Sequence, residues 1–150
     1  GIGAEVARWL ATNGARDLLL WSRRGEGTDG AGALLAELRA SGATVSAQAV
    51  DVSDGEAVAR ALSTISAGAP LRAVFHAAGV LDDGVVLEQR TERFARTMAP
   101  KLAGALHLDR LIGDRPLEVL AVGGHGGAVL ERHLGPGQPR PAGPAGVVVP

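Results

Sequence analysis

Short apolar runs alternate with segments of helical period from residue 1 to about residue 122, and few folds admit that alternation. Val6, Trp9 and Leu10 fall at helical spacing, with Gly14 as terminator. Asp17 to Trp21 is a brief apolar run with polar flanks, which reads as a buried strand. The charged, glycine-rich stretch 23–30 is a loop. A helix follows on Leu34, Leu35 and Leu38, and Ser41-Gly42 ends it. Thr44 to Val50 is the next strand. Ser53 or Asp54 caps a helix with Val58, Ala61, Leu62 and Ile65 inward. Leu71 to Phe75 is a third strand, and Thr91 N-caps a helix through Met98. Pro100 breaks that helix or opens the next, which carries Leu102, Ala105, Leu106 and Leu108. Val119 to Val122 is a fourth strand. Strands alternating with helices of about 10–15 residues imply βαβ units on a parallel sheet.

The expected class is therefore α/β, an incomplete Rossmann-like three-layer parallel sheet. In a dinucleotide-binding sheet the first strand is central, where strand order reverses. No strand precedes the first helix here, so the first strand is expected to be missing. The runs at 17–21 and 71–75 would then lack a partner between them, and the isolated chain is expected to fold marginally. Residues 123–150 differ in character, with eight glycines and five prolines. The expected division is a partial dinucleotide-binding-type region over 1–122 and an atypical Gly/Pro-rich tail over 123–150. Val147-Val148-Val149 is too short to be counted on as a central strand.

Composition removes several functions. A net charge of -1 gives no concentrated basic surface for nucleic acid. The absence of cysteine excludes disulfides and thiolate zinc sites, and no metal site is expected. No apolar run is long enough to cross a bilayer and no secretory leader is visible, so the cytoplasm is the expected location.

Several residues are candidates for cofactor chemistry. Gly1-Ile2-Gly3 opens a helix, where glycines let a phosphate reach the first-turn N–H groups, although a plain cap would look the same. Ser22-Arg23-Arg24 closes the first strand, where arginine suits a ribose 2'-phosphate. Asp51-Val52 follows the second strand, and its carboxylate could bind an adenine amine or cap a turn. His76-Ala77-Ala78-Gly79 follows the third, where small residues admit a flat cofactor, although His76 on its own is more often a local structural histidine. Lys101 lies among apolar residues, and an ammonium beside a cofactor ribose could bind its hydroxyls. Asp82 and Asp83 default to a solvated loop; His125 and His133 are bases by residue type alone.

Together Gly1-Ile2-Gly3, Ser22-Arg23-Arg24-Gly25, Asp51-Val52-Ser53-Asp54, the stretch His76 to Gly84 and Ala99-Pro100-Lys101 resemble the ketoreductase domain of modular polyketide synthases. That domain belongs to the short-chain dehydrogenase/reductase superfamily. The resemblance implies that Gly3 is the last glycine of a phosphate-binding motif and that Arg23 holds the 2'-phosphate of NADPH. It implies that Asp51 and Val52 bracket the adenine, that His76, Ala77, Ala78 and Gly79 line the nicotinamide side, and that Lys101 is catalytic. Leu81-Asp82-Asp83 resembles the fingerprint of ketoreductases giving a D-configured product. The implied reaction is NADPH-dependent reduction of a β-ketoacyl thioester carried on an acyl carrier protein, among neighbouring synthase domains.

The departures are equally specific. Gly123-Gly124 stands where the family has a serine pair, and Pro141 and Ala145 stand where it has tyrosine and asparagine. The chain contains no tyrosine. It alone is therefore expected to be inactive, and the tail is expected to reflect a frame shift or gene decay. Two alternatives stand beside a fragment of an active parent. One is a non-catalytic structural subdomain or decayed pseudo-enzyme; the other is a free-standing NADPH-binding protein.

Overall fold

The computed structural model describes residues 1–66, 68–79, 90–123 and 146–149. Among the described residues there are five helices and five strands; the helices and the first four strands follow the sequence patterning, and the fifth strand does not. They are α1 (Ile2–Thr12), β1 (Asp17–Ser22), α2 (Ala31–Ala40), β2 (Thr44–Ala49), α3 (Gly55–Ser63), β3 (Leu71–His76), α4 (Thr91–Met98), α5 (Gly104–Ile112), β4 (Val119–Val122) and β5 (Gly146–Val149). A short 3-10 turn occupies Gly25–Gly27, and a π-helical turn, Ala99–Ala103, joins α4 to α5.

All strands are parallel, in the order β2-β1-β5-β3-β4. The expected central gap is therefore filled, a correction to the reading that the first strand's place is empty. Residues 146–149 pair with Asp17–Leu20 on one side and with Leu71, Ala73 and Val74 on the other. The physical reason is that β1 and β3 face each other with rows of backbone donors and acceptors that must be satisfied when buried. A valine run suits a strand, and one inserted between two strands makes ladders on both sides, so four residues suffice. Four residues of the Gly/Pro-rich tail thus belong to the sheet, and the reason for expecting marginal folding is removed.

Two apolar layers flank the sheet. One joins Val58, Ala61 and Leu62 of α3 and Leu108 and Ile112 of α5 to Val74 and Leu120. The other joins Ala7, Leu10 and Ala11 of α1 and Leu35 and Leu38 of α2 to Leu18, Val45 and Ala73. Burying a leucine as Leu108 and Leu120 are buried contributes roughly 1.5–3 kcal/mol each.

Local details refine the sequence reading. Asp54 caps α3, accepting from the N–H groups of Glu56 and Ala57 at 2.9 and 3.2 Å. Thr91 is the first residue of α4 rather than its cap; Arg90 takes the cap position without a side-chain bond. Trp9 lies on the solvent side of α1, because the 7, 10, 11 stripe is the one turned inward. Leu102 and Leu106 are likewise exposed, whereas Gly104, Leu108 and Ile112 face the core.

Candidate functional site

Parallel strands place their carboxyl ends on one edge, so the segments after Ser22, Ala49 and His76 share it. Strand order reverses there, which is where open α/β sheets bind ligands. α1 runs back across the sheet before β1 begins, so Gly1, Ile2 and Gly3 belong to this edge as well. Gly1 is the N-cap of α1, its carbonyl accepting from the Ala4 N–H at 3.0 Å, and Ile2 is exposed.

On the β1–β2 side, the backbone is held at short range. The Ser22 carbonyl accepts from the Val50 N–H at 2.8 Å, and the Ser22 and Thr28 hydroxyls share a 2.7 Å hydrogen bond. Gly25 has φ +53°, and a Cβ there would lie 2.7 Å from the Ala49 backbone nitrogen. Only glycine lets the Arg23-Arg24 loop lie this close to the end of β2. Arg24 pairs with Asp29 at 3.1 Å, both exposed. Asp51 accepts from the Ser53 hydroxyl at 2.6 Å and the Ser53 N–H at 2.9 Å. Those bonds, and then the charge of Arg23, hold the Asp51 carboxyl below the usual carboxylate range. Asp51 is thus a turn-forming carboxylate that remains ionised within the electrostatic reach of Arg23. The Val52 side chain is buried, and its carbonyl accepts from His107 Nδ1–H at 3.1 Å.

On the β3 side, the contacts are long-range. The His76 imidazole is 1% exposed, so it points beneath the edge rather than onto it. Its Nε2 lies 2.9 Å from the Pro100 carbonyl. Burial holds its pKa below the ordinary histidine value, against the opposing effect of hydrogen bonds to the Pro100 and Lys101 backbone. Gly104 fits under it: a Cβ there would lie 3.0 Å from Val52 Cγ2 and 3.1 Å from the His76 ring. Ala77 and Ala78 are half-buried and Gly79 is exposed. The methylene next to the Lys101 ammonium rests over Gly79, 3.4 Å from where a Cβ would stand. Lys101 and the small-residue segment therefore meet at one point of the edge.

Sequence reading missed two contributors, Gly104 and His107, and quoted Gly25 only as part of a motif, without its role. Gly25 carries a positive φ; the glycine after two arginines was its only signal. Gly104 and His107 gave none, because their contacts are made 28 to 55 residues away along the chain. A further signal was available in composition: Lys101 is the one lysine in a chain of fourteen arginines. Leu81, Asp82, Asp83, Gly124, His125, His133, Pro141 and Ala145 lie outside the described residues. Among the described residues no group of His, Asp and Glu could hold a metal ion, and no helix is long and apolar enough to cross a membrane.

Comparison with known proteins supports one family. The KR domain model matches residues 1–132, ten residues beyond the expected boundary at 122. The chain is 48% identical over 121 residues to polyketide synthase GfsB of Streptomyces halstedii, covering 81% of this chain and 2% of that protein. It is 42% identical over 121 residues to the pikromycin synthase component PikAIII of Streptomyces venezuelae, covering 81% of this chain and 8% of that protein. These relatives are many times longer than this chain. Among solved structures, A-type ketoreductases from a modular polyketide synthase superpose with a TM-score of 0.77 at 44% identity, over 80% of this chain and 26% of theirs. A short-chain dehydrogenase from Burkholderia cenocepacia, solved with NADP, shares the fold, with a TM-score of 0.62 at 24% identity over 74% of this chain and 44% of that one. The chain belongs to the KR domain family, and the proteins it matches within that family are polyketide synthases and their ketoreductases.

Proposed function

We propose that this chain forms the NADPH-binding part of a ketoreductase whose parent reduces β-ketoacyl thioesters on an acyl carrier protein. The observation that carries this reading is the seat of Lys101 over Gly79, on the same sheet edge as Arg23 and Asp51. The residues present fit the cofactor. Arg23 offers the guanidinium a 2'-phosphate requires. The first-turn N–H groups of α1 at Gly1, Ile2 and Gly3 suit a pyrophosphate. Asp51 and Val52 stand at the adenine end, and Ala77, Ala78 and Gly79 leave the nicotinamide end uncrowded. When bound, NADPH supplies the hydride.

The chain's own residues orient and polarise. Asp51, kept ionised by Ser53, forms its turn at the adenine end and leaves its second carboxylate oxygen for an amine donor. Lys101 donates hydrogen bonds to ribose hydroxyls from above Gly79 and brings positive charge near the site where the substrate oxygen becomes negative. No tyrosine in these 150 residues can then supply the proton to that oxygen.

Titration with NADPH and NADH tests the reading. Tighter binding of NADPH, with the preference lost in R23A and affinity weakened in K101A, supports it. Equal affinities, or R23A binding as wild type does, would sink it. The lack of tyrosine and the glycine at position 123 favour a second reading, a non-catalytic reductase half. Incubation of the parent protein with NADPH and a short β-ketoacyl thioester separates the two, since the first reading predicts a hydroxy product and the second predicts none.

A further inference from the structure

We infer that His76 is the positioning residue for Lys101, acting through the carbonyl of Pro100. The inference rests on the reading of Lys101 as a cofactor-binding lysine. Pro100 has no N–H and its ring crowds the preceding turn, so the chain cannot pass through it as regular α-helix. It widens into the π-turn Ala99–Ala103, and such turns recur at functional sites. In an α-helix the Gly104 N–H would bond to the Pro100 carbonyl four residues back. Here the bonds that close the turn run to the carbonyl of Ala99, five residues before Gly104, and to that of Lys101, and neither runs to Pro100. The Pro100 carbonyl is thereby released from the bond Gly104 would have made, and His76 Nε2 meets it at 2.9 Å from the end of β3.

A carbonyl oxygen can only accept, so Nε2 carries the proton and Nδ1 carries the lone pair. Nδ1 is buried with no partner among the described residues. A protonated ring would place an unpaired charge there, so the neutral Nε2–H tautomer is the form that holds the turn. Three consequences of this bond converge on Lys101. It ties β3 to the residue immediately before Lys101. It sits against Gly104, where a Cβ would come within 3.1 Å of the ring. And it places the Lys101 methylene over Gly79, three residues beyond His76 in the segment leaving β3. The histidine that looked in sequence like a nicotinamide contact instead sets, from beneath, where the lysine stands.

Lys101 is the one lysine in the chain, so reductive methylation with 13C-formaldehyde yields a single side-chain signal, distinct from the amino terminus. In the wild-type chain, 15N spectra should show His76 neutral with the proton on Nε2, and the dimethyl-Lys101 signal should be shifted from that of free dimethyl-lysine. The other tautomer, or an imidazolium at neutral pH, would overturn the inference without any variant. H76F should move the Lys101 signal to its free position and lower amide protection of residues 102–105 about tenfold. Protection across Leu71–Phe75 should persist, showing that the sheet stands. H76Q, whose amide nitrogen can reach where Nε2 was, should restore both readouts. An unshifted Lys101 signal in H76F, or H76Q failing as H76F does with the sheet intact, would overturn the proposal. NADPH affinity separates this from the underlying reading. H76F should weaken binding about tenfold in the Lys101 background and not further in K101A. If K101A binds as wild type does, the cofactor role of Lys101 falls while the tautomer and the methyl signal still report on His76.

Discussion

The two sides of the sheet edge are held in different ways. On the β1–β2 side, the side-chain bonds that shape the candidate site span two to six residues, Asp51 to Ser53 and Ser22 to Thr28, and one backbone bond from Val50 to Ser22 continues the pairing of the two strands. Where the π-turn and α5 meet the sheet, they span 24 and 55: His76 to Pro100 at the end of β3, and Val52 to His107 beyond β2. The first side is a set of turns that would recur wherever this stretch of sequence met a neighbouring strand. The second exists only once α5 has docked across β3 and the end of β2. β5 lies between them and hydrogen-bonds to both, so the two sides form one edge only through the tail of the chain.

The strongest test of that joint is V148P. Proline removes a backbone donor in the middle of a strand with a partner on each side, and buried acceptors left unmatched are costly. A loss of about 3 kcal/mol or more is expected in urea unfolding, with amide protection falling together at Asp17–Leu20 and Leu71–Val74. Protection unchanged in both segments would mean that β5 does not hold the halves together.

Next in size is G25A on the locally built side. The new Cβ would lie 2.7 Å from the Ala49 backbone nitrogen, at a φ that alanine resists. Backbone strain and overlap together should cost about 2–3 kcal/mol. If the turns are local, the damage should stay in the Arg23-Arg24 loop and β2, leaving the Lys101 methyl signal in place.

G104A probes the long-range side and should cost about 1–3 kcal/mol, since Val52 and His76 must both give way. Its signature is different: amide exchange should rise both at Val52–Ser53 and in the π-turn, because one Cβ disturbs two elements. A response confined to α5 would show that the clasp is not shared.

The smallest expected effect is a pH dependence. Burial lowers the His76 pKa in the folded chain relative to the unfolded one, so the unfolded chain binds more protons as pH falls. The stabilisation is fully present above the ordinary histidine value of about 6.5 and is lost as pH drops below it toward the lowered folded value. Melting temperatures of wild type should therefore decline faster than those of H76Q as pH is lowered from 7 to 5. Parallel curves would show that the ring is not held neutral by the fold.

Much of the locally built side was readable in advance. A carboxylate two residues before a serine and a pair of arginines closing an apolar run are signatures written within a few positions. The β3 side was readable only as a list of residue types. His76, Ala77, Ala78, Gly79 and Lys101 were identified, yet the side chain of His76 is buried under the edge it was expected to line. The π-turn and α5 show the same limit, since of the leucines seen in the sequence Leu108 is buried while Leu102 and Leu106 are exposed.

Hydrophobic period and the turn residues by themselves determined that this chain alternates strand and helix, and that its strands run parallel with Arg23, Asp51 and Gly79 at their carboxyl ends. Those properties depend on neighbours a few residues away, and sequence records such neighbours directly. Which segment occupies the centre of the sheet was decided only in three dimensions. β5 pairs with residues of β1 and β3 that lie more than seventy positions earlier, and it takes its place because two facing strand edges leave buried donors and acceptors to be matched. The standing of Lys101 over Gly79 was decided the same way, since it depends on a carbonyl freed by a wide turn meeting a histidine 24 residues earlier in the chain.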